Sequence, residues 1–584
     1  MMISDGVMEY VFTAGILVSF IGLIVGTVLN RKSIAETLKS AGFRRQDLLI
    51  AILIVIAFIV IEIYLVKPTQ LLFFDDAIYQ AMALDLLHTG QAWMCNYGSP
   101  VQCFSGQVFH EPIGLSFNFA ISFAILGVTR SAAYIAELAL AAVSVFMTFF
   151  VSMVLLRDRK SSVFSALILG LTPLIMVWAM PTNSDIATLA YSLIAIFMLL
   201  VFIRKRNKLG LLNFLLSVTL LMYMKVDALI YMPIFVLMFL LLAENSFRKA
   251  FGRTYALLRK NVLDTKFLLI LLVFIILIYP SISFAFSNYS SDGYGYQGSN
   301  VPLTCSSTVT YITAKSAIDL ANFNANICSN LGFWINTFKS QDIIQPVYFT
   351  VLALLGIAAM VVTKRTRIAA AVLVWFIAIF LLYTAFYAGA VTFGVDWRFF
   401  IGLMAETAIL GGFALEFLSE KIGSAISKLS KNRAHAQRVR SLAIYAVALI
   451  FIASLFYTVY AEAPLLSITP SQIQQAGDAR FYENFVYNQS NSIPENCLVY
   501  TYDPTLFNIN NRTATQLSNI YDSNFYSNAS SRYSCSVVDY GYWCYTPDNL
   551  CTNLNSTFAL KSITNATYEN NGNKYSFYLV EGRK

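Results

Sequence analysis

Long apolar runs separated by short polar stretches set the pattern of this chain. Twelve such runs fall at about 7–29, 48–66, 131–156, 162–180, 184–203, 209–224, 226–243, 267–286, 346–362, 368–389, 399–418 and 442–460. A helix rises about 1.5 Å per residue and the hydrocarbon core is about 30 Å thick, so most of these runs are long enough to cross a bilayer. The stretch 209–243 is too long for one upright helix and short for two. Lys225 and Asp227 interrupt it near the middle, and basic clusters flank both ends. Two short helices put both clusters on one side of the membrane, whereas one helix would separate them.

The charges fix the orientation. Six alternate loops (31–47, 157–161, 204–208, 244–266, 363–367 and 419–441) hold 27 of the 40 Lys and Arg residues. Cytoplasmic loops carry such an excess, so an even number of spans places both termini outside. The first run is followed, not preceded, by Arg31 and Lys32, which is the reverse of a cleaved signal. The expected fold is therefore an α-helical polytopic membrane protein of about 12 transmembrane helices. A composition of 57% hydrophobic and 12% charged residues agrees, because soluble domains carry about 25% charged residues. The net charge of +8 is accounted for by the inner loops and gives no reason to expect a nucleic acid partner.

Three segments depart from the pattern. The loop 67–130 holds a helical stretch at 77–88 ending at Gly90, a cysteine-flanked turn region, and a second apolar stretch from His110 to Gly127. That stretch is expected to be interfacial or re-entrant, because a full span there would invert the charge pattern downstream. The loop 287–345 is rich in Tyr, Gly and Ser. The tail 461–584 reads as a small extracytoplasmic α/β domain: a polar helix at 471–488, a strand over 497–502, and a strand pair around the turn Asn570-Asn571-Gly572-Asn573. The expected divisions are thus 1–47, an added helix and basic loop; 48–460, the membrane domain; and 461–584, the cap.

All eight cysteines (Cys95, Cys103, Cys305, Cys328, Cys497, Cys535, Cys544 and Cys551) fall in outside segments, where thiols pair. Cys95–Cys103 and Cys305–Cys328 suit local bridges, and the tail has room for two more. Six Asn-x-Ser/Thr sequons (at Asn288, Asn488, Asn511, Asn528, Asn555 and Asn565) are outside as well.

The candidate chemistry gathers at the outer surface. Asp75 and Asp76 sit where an apolar run meets water, a costly place for two carboxylates and a suitable one for a general base. His110, Lys225 and Arg398 are cations or potential cations at the same level, able to balance charge growing on a phosphate. Plainer readings stand beside these. The aspartates cap a helix, Asp185 caps the span it opens, Lys225 and Asp227 form a turn pair, Arg398 anchors the interface, and His110 lies in a surface loop. No Gly-rich phosphate loop or dinucleotide fingerprint occurs, and three histidines make a His-rich metal site improbable.

The motifs in order resemble the GT-C-fold polyprenyl-phosphate-sugar-dependent glycosyltransferases of the protein O-mannosyltransferase and aminoarabinose-transferase type. The resemblance rests on Asp75-Asp76-Ala77-Ile78-Tyr79, His110-Glu111-Pro112-Ile113-Gly114, Thr182-Asn183-Ser184-Asp185, Met224-Lys225-Val226-Asp227 and Trp397-Arg398-Phe399-Phe400, with the outer cap near Tyr502-Asp503-Pro504. It covers about 48–580. Three features depart from the pattern: Glu111 stands for the first proline of a Pro-Pro pair, no proline follows Arg398, and 7–29 is an amino-terminal addition.

The resemblance implies a GT-C-like membrane enzyme that takes a sugar from a dolichyl- or undecaprenyl-phosphate carrier. The acceptor is a protein, glycan or lipid outside the cytoplasm, and the step is an inverting displacement. Asp75 is the implied base, with Asp76 as orienter. His110, Glu111, Lys225, Arg398, Asp185 and Tyr79 are the implied substrate-binding residues. No cofactor is required by it, although Asp75 and Asp76 could hold Mg or Mn. The rival class is a secondary transporter with Glu137, Lys225 and Asp227 along a path, but transporters usually show related halves and none is seen. An oligosaccharyltransferase would carry Trp-Trp-Asp-Tyr-Gly, for which Gly541-Tyr542-Trp543-Cys544 is no substitute.

Overall fold

A computed structural model of the chain describes residues 5–65, 73–91, 94–95, 98–99, 102–103, 107–108, 112–243, 264–290, 347–383, 394–428, 481–545, 551–569 and 572–584, with five isolated positions between 442 and 454. Within them the apolar runs become helices. α1 (Asp5–Leu29), α2 (Arg31–Ser40) and α3 (Arg45–Leu65) are followed by α4 (Phe73–Thr89), α5 (Gly114–Leu126) and α6 (Arg130–Leu156). Next come α7 (Arg159–Gly170), α8 (Pro173–Trp178), α9 (Ser184–Lys205), α10 (Lys208–Met224) and α11 (Tyr231–Leu242). α12 (Thr265–Ser290), α13 (Val347–Val362), α14 (Thr366–Leu381) and α15 (Met404–Lys428) complete the membrane body.

Six of the described helical segments are long and apolar enough to cross a membrane, and five more are apolar but shorter. The count of twelve is not reproduced. The run 442–460 lies almost wholly outside the described residues, and two other runs take a different form. The run 162–180 is split into α7 and α8 at Leu171–Thr172, because a residue preceding proline is pushed out of the helical region and Pro173 suits a first helical turn. The run 399–418 begins as a 3-10 helix, Gly394–Leu403, before α15. The division of 209–243 into two short helices is present: α10 ends at Met224 and a 3-10 turn, Val226–Ile230, leads into α11.

α9 is the centre of the body. It packs between α6 and α10, and nearly every residue along it is buried. α1 lies against α10 and α12 on one side. On the other, α15 packs on α7 and α13. A Cβ at Gly412 would come within 2.6 Å of the Ser161 carbonyl, and one at Gly356 within 2.1 Å of the Leu410 carbonyl, so these close approaches require glycine. α5 has 13 residues, about 20 Å at a helical rise, and is shorter than the hydrocarbon core.

Before α5, the short strand β1 (Met94–Cys95) pairs with β4 (Gln107–Val108) and β2 (Gly98–Ser99) with β3 (Gln102–Cys103), and the tail forms a five-stranded sheet in the order β6 (Ala514–Gln516), β5 (Cys497–Thr501), β7 (Cys535–Tyr540), β9 (Lys574–Arg583), β8 (Phe558–Thr567). β6, β5 and β7 run parallel, and β7, β9 and β8 antiparallel. Strand β5 and the hairpin β8–β9 lie where the sequence pattern puts them. The helix appears over 481–489, and 471–480 lies outside the described residues. Cys497 and Cys535 face each other across the parallel pair and are bridged, as are Cys544 and Cys551. In a chain-entropy picture the first bridge, closing 38 residues, contributes about 4 kcal/mol and the second, closing 7, about 2 kcal/mol. The other two expected bridges involve side chains outside the described ones.

Two contacts seat the tail on the membrane body. The short helix Pro504–Ile509 packs on α4. Arg130, at the first residue of α6, pairs with Glu483 at 2.7 Å and donates to Asn484 at 3.2 Å, with Tyr134 and Tyr487 against its guanidinium. A cation at a helix amino terminus opposes the helix dipole, so its place there is explained by the tail and not by α6.

Candidate active site

The amino end of α9 sets the first side chain. Asn183 is the cap, its side-chain oxygen accepting from the Asp185 and Ile186 amides at 3.0 and 3.2 Å. Its amide in turn donates to the carbonyls of Trp178 and Pro181. The capping role read for Asp185 therefore belongs to Asn183, and the Asp185 carboxylate is left to face Lys225.

Lys225 breaks the chain between α10 and α11 in an extended conformation (φ −155°, ψ 145°). Its ammonium lies 2.7 Å from Asp185 Oδ1 and 3.2 Å from Asp227 Oδ2. It also donates to the Tyr383 hydroxyl at 3.2 Å, and that hydroxyl donates to Asp227 at 2.5 Å. Arg398, from the 3-10 segment before α15, brings Nε to 3.7 Å of Asp185 Oδ2. The ring of Phe399 lies under both cations, 4.6 Å from Lys225 Nζ and 5.1 Å from the Arg398 guanidinium, and stacks on Tyr383. Cations over aromatic faces are held electrostatically, more so when desolvated.

These four charged side chains are only 5–16% exposed. Two carboxylates and two cations close a locally neutral cluster, and removing any one strands another in a dry site. Thr188, Tyr231, Ile379 and Gly402 line a small cavity beside Asp185, Asp227 and Tyr383.

The loop motif ends against the same place. Gly114 opens α5 so close to α10 that a Cβ would meet the Tyr223 carbonyl at 2.4 Å, so glycine is required there. Asn118, one turn on, accepts from Tyr191 of α9 at 3.1 Å and donates to the Gly114 carbonyl. α4 packs on α5 in turn.

Among the predicted site residues, Asp185, Lys225 and Arg398 are brought into one cluster. Tyr79 is buried in the α4 core. His110 and Glu111 lie outside the described residues, three or four positions before Gly114. Asp75 and Asp76 fall within α4, which begins at Phe73 and not at 77. They therefore stand inside the first turns and not at the capping position, and their side chains lie outside the described ones. Among the described residues no group of three His, Cys, Asp or Glu could hold a metal ion.

Sequence reasoning missed Tyr383 and the role of Phe399. Phe399 adjoins Arg398 in the same motif, which was the available signal. Tyr383 sits in an unbroken apolar run and gave none.

Part of the site lies in a segment that matches a known family. Residues 110–284 match the family described as dolichyl-phosphate-mannose-protein mannosyltransferase. The matched segment opens at His110 and includes Asp185, Lys225 and Asp227. The family that the motifs resemble is the one that this match returns. Among curated proteins no match is found.

Among solved structures, the chain is similar to ArnT from Cupriavidus metallidurans in the apo state: 12% identity over 91% of this chain and 97% of that one, TM-score 0.47. The same protein bound to undecaprenyl phosphate gives 13%, 90%, 97% and 0.47. The apo oligosaccharyltransferase of Archaeoglobus fulgidus gives 12%, 85%, 70% and 0.49.

Proposed function

We propose that the chain is an integral-membrane glycosyltransferase that moves a sugar from a polyprenyl-phosphate carrier to an acceptor on the outer side of the membrane. The convergence of Lys225 and Arg398 on Asp185, with Asp185 and Lys225 inside the segment that matches the mannosyltransferase family, carries this reading. The donor leaves as polyprenyl phosphate, whose negative charge grows as the bond from the anomeric carbon to the phosphate oxygen breaks. Two buried cations already positioned at that point lower the cost of the charge. Arg398 offers a planar fork to phosphate oxygens and Lys225 a point charge.

The acceptor oxygen attacks the anomeric carbon from the opposite face, giving inversion, and its proton passes to a carboxylate. Asp75 is proposed as that base, with Asp76 orienting it. His110, Glu111 and Tyr79 are proposed to shape the substrate pocket. Both termini and the reaction centre are assigned to the extracytoplasmic side of the cell membrane, because the basic loops lie at the other ends of the same helices.

The test is consumption of labelled polyprenyl-phosphate monosaccharides by purified protein, beside Asp75→Asn and Asp76→Asn. The reading expects turnover in the native protein and a loss of about a hundredfold or more in Asp75→Asn, with inverted stereochemistry in the product. An EDTA arm with Mg or Mn restored tests the pair as a metal site. No consumption on a broad panel, or full activity in both variants, would refute it.

A further inference from the structure

A second cavity lies at the far end of α9 from the Lys225 cluster. The 22 residues of α9 separate the two by about 33 Å along the helix. The cavity encloses about 620 Å³ between the carboxyl ends of α6, α9 and α11 and the start of α14. Arg157, Arg204, Arg206, Arg365 and Arg367 line it together with leucine and isoleucine side chains, and no acidic residue is among the described lining.

Three observations say that these arginines are more than topology markers. The first is where the basic side chains of these short loops find partners. Lys205 pairs with Glu36 and Lys208 with Asp264, while Lys160 pairs with Glu420 and Arg159, which does not line the cavity, with Asp47, both at 2.5 Å. Among the described residues no carboxylate forms an ion pair with Arg157, Arg204 or Arg365; Arg365 donates to the Leu156 carbonyl at 2.6 Å and Arg204 reaches the Val154 carbonyl at 3.5 Å. The positive-inside rule asks for charge on this face but does not distinguish Lys from Arg.

The second observation is backbone geometry. Arg157 and Arg206 cap α6 and α9 in the left-handed region, at φ 51° and 49°. Glycine fits that position without strain, so basic side chains stand there, and at Lys364 (φ 58°), against the backbone preference. The third is the lining itself. A pocket lined by five arginines and by aliphatic side chains, opening between helices on the basic face, suits an acyl-linked phosphate better than a bare ion.

We infer that this cavity is a second, anion-binding site, on the face opposite the Lys225 cluster, for a phosphate group. Guanidinium forks grip phosphate oxygens in bidentate fashion, which explains arginine in place of lysine. The phosphate is carried by an anionic phospholipid headgroup or by a soluble phosphate compound, and the mixed lining favours the lipid.

The test uses the delipidated full chain in detergent. Dimyristoyl phosphatidylglycerol, dimyristoyl phosphatidylcholine and inorganic pyrophosphate are each titrated while the thermal unfolding midpoint and retained lipid by native mass spectrometry are followed. The proteins compared are the native chain, Arg157→Gln/Arg204→Gln, Arg157→Lys/Arg204→Lys and the charge-matched control Lys160→Gln/Lys205→Gln. Phosphatidylglycerol is expected to bind the native chain and the lysine control alike, and phosphatidylcholine neither. Affinity is expected to fall about tenfold for each arginine neutralised, and less in the double Lys variant, which keeps the charge and should fold even if the Gln variant does not. Pyrophosphate binding with the same losses would support the site with a soluble ligand. Absence of binding by either phosphate, or equal losses in the arginine and lysine pairs of neutralising variants, would overturn the proposal.

Discussion

At the Ser184 end of α9 the cations are buried, and each lies beside a carboxylate and an aromatic face. At the Lys205 end Lys160, Lys205, Lys208 and Arg159 lie on carboxylates, and five other arginines line a cavity with no described acidic lining. One helix thus presents cations in two settings. Where Asp185 and Asp227 are built in, the positions of Lys225 and Arg398 are fixed before any substrate arrives, which is what charge stabilisation of a leaving phosphate needs. At the other end, Arg157, Arg204 and Arg365 form no ion pair with a carboxylate among the described residues, and they line a cavity. Charge count alone does not separate these cases; the partners do.

The strongest way to break this contrast is Lys225→Met. It strands Asp185 and Asp227 in a site that is only a few per cent exposed, and the loss of one partner of a buried pair costs about 3–5 kcal/mol. A clear drop in the thermal unfolding midpoint in detergent is expected, and an unchanged midpoint would mean the cluster is not a unit.

The tail supplies a sharper case, since two of its buried carboxylates, Asp503 and Asp539, have hydroxyls in place of cations. Asp539 accepts from Tyr482 and, at 2.8 Å, from Thr501, and burial pushes its carboxyl up to about 7. Burial raises Asp503 to about 6, against hydrogen bonds from Thr505 and the Leu506 amide. A carboxyl whose pKa is raised on folding contributes stability that is complete below its unfolded value near 4 and is lost as pH rises through the folded value. Amide exchange of β5 and β7, corrected for the intrinsic rate, is therefore expected to be slowest near pH 4 and to quicken up to and past pH 7. Asp539→Asn should flatten most of that slope. Protection that grows with pH would contradict the assignment.

The smallest effect belongs to the inner lysines. Lys205→Gln removes an exposed pair with Glu36, and such pairs contribute little. Its unfolding midpoint should match the native protein within error.

Much of this was legible in the sequence for a physical reason: membrane helices must be apolar throughout and must hide every backbone polar group. The paired short helices around Lys225 followed from length and charge sidedness. Gly90 and Gly127, both at positive φ, end α4 and α5 where the sequence placed glycine stops. The breaks at Thr172–Pro173 and at the 3-10 segment before Met404 were not seen, since an apolar run looks the same whether helical or bent. Tyr383 was hidden for the same reason, one hydroxyl in a run of rings and aliphatics. Strands β6 and β7 were missed because parallel pairing joins distant segments and leaves no local turn to read. Of the site, the sequence supplied Asp185, Lys225 and Arg398 but not their arrangement, and it mistook the cap, which Asn183 provides.

The most direct measurement is single-turnover release of polyprenyl phosphate from a labelled polyprenyl-phosphate sugar, comparing the native chain with Lys225→Arg, which keeps the charge, and Lys225→Met, each first shown to be folded. If the Lys225 cluster stabilises the leaving phosphate, release falls about a hundredfold or more in Lys225→Met and partly recovers in Lys225→Arg. Equal release by all three would contradict a catalytic role for the cluster.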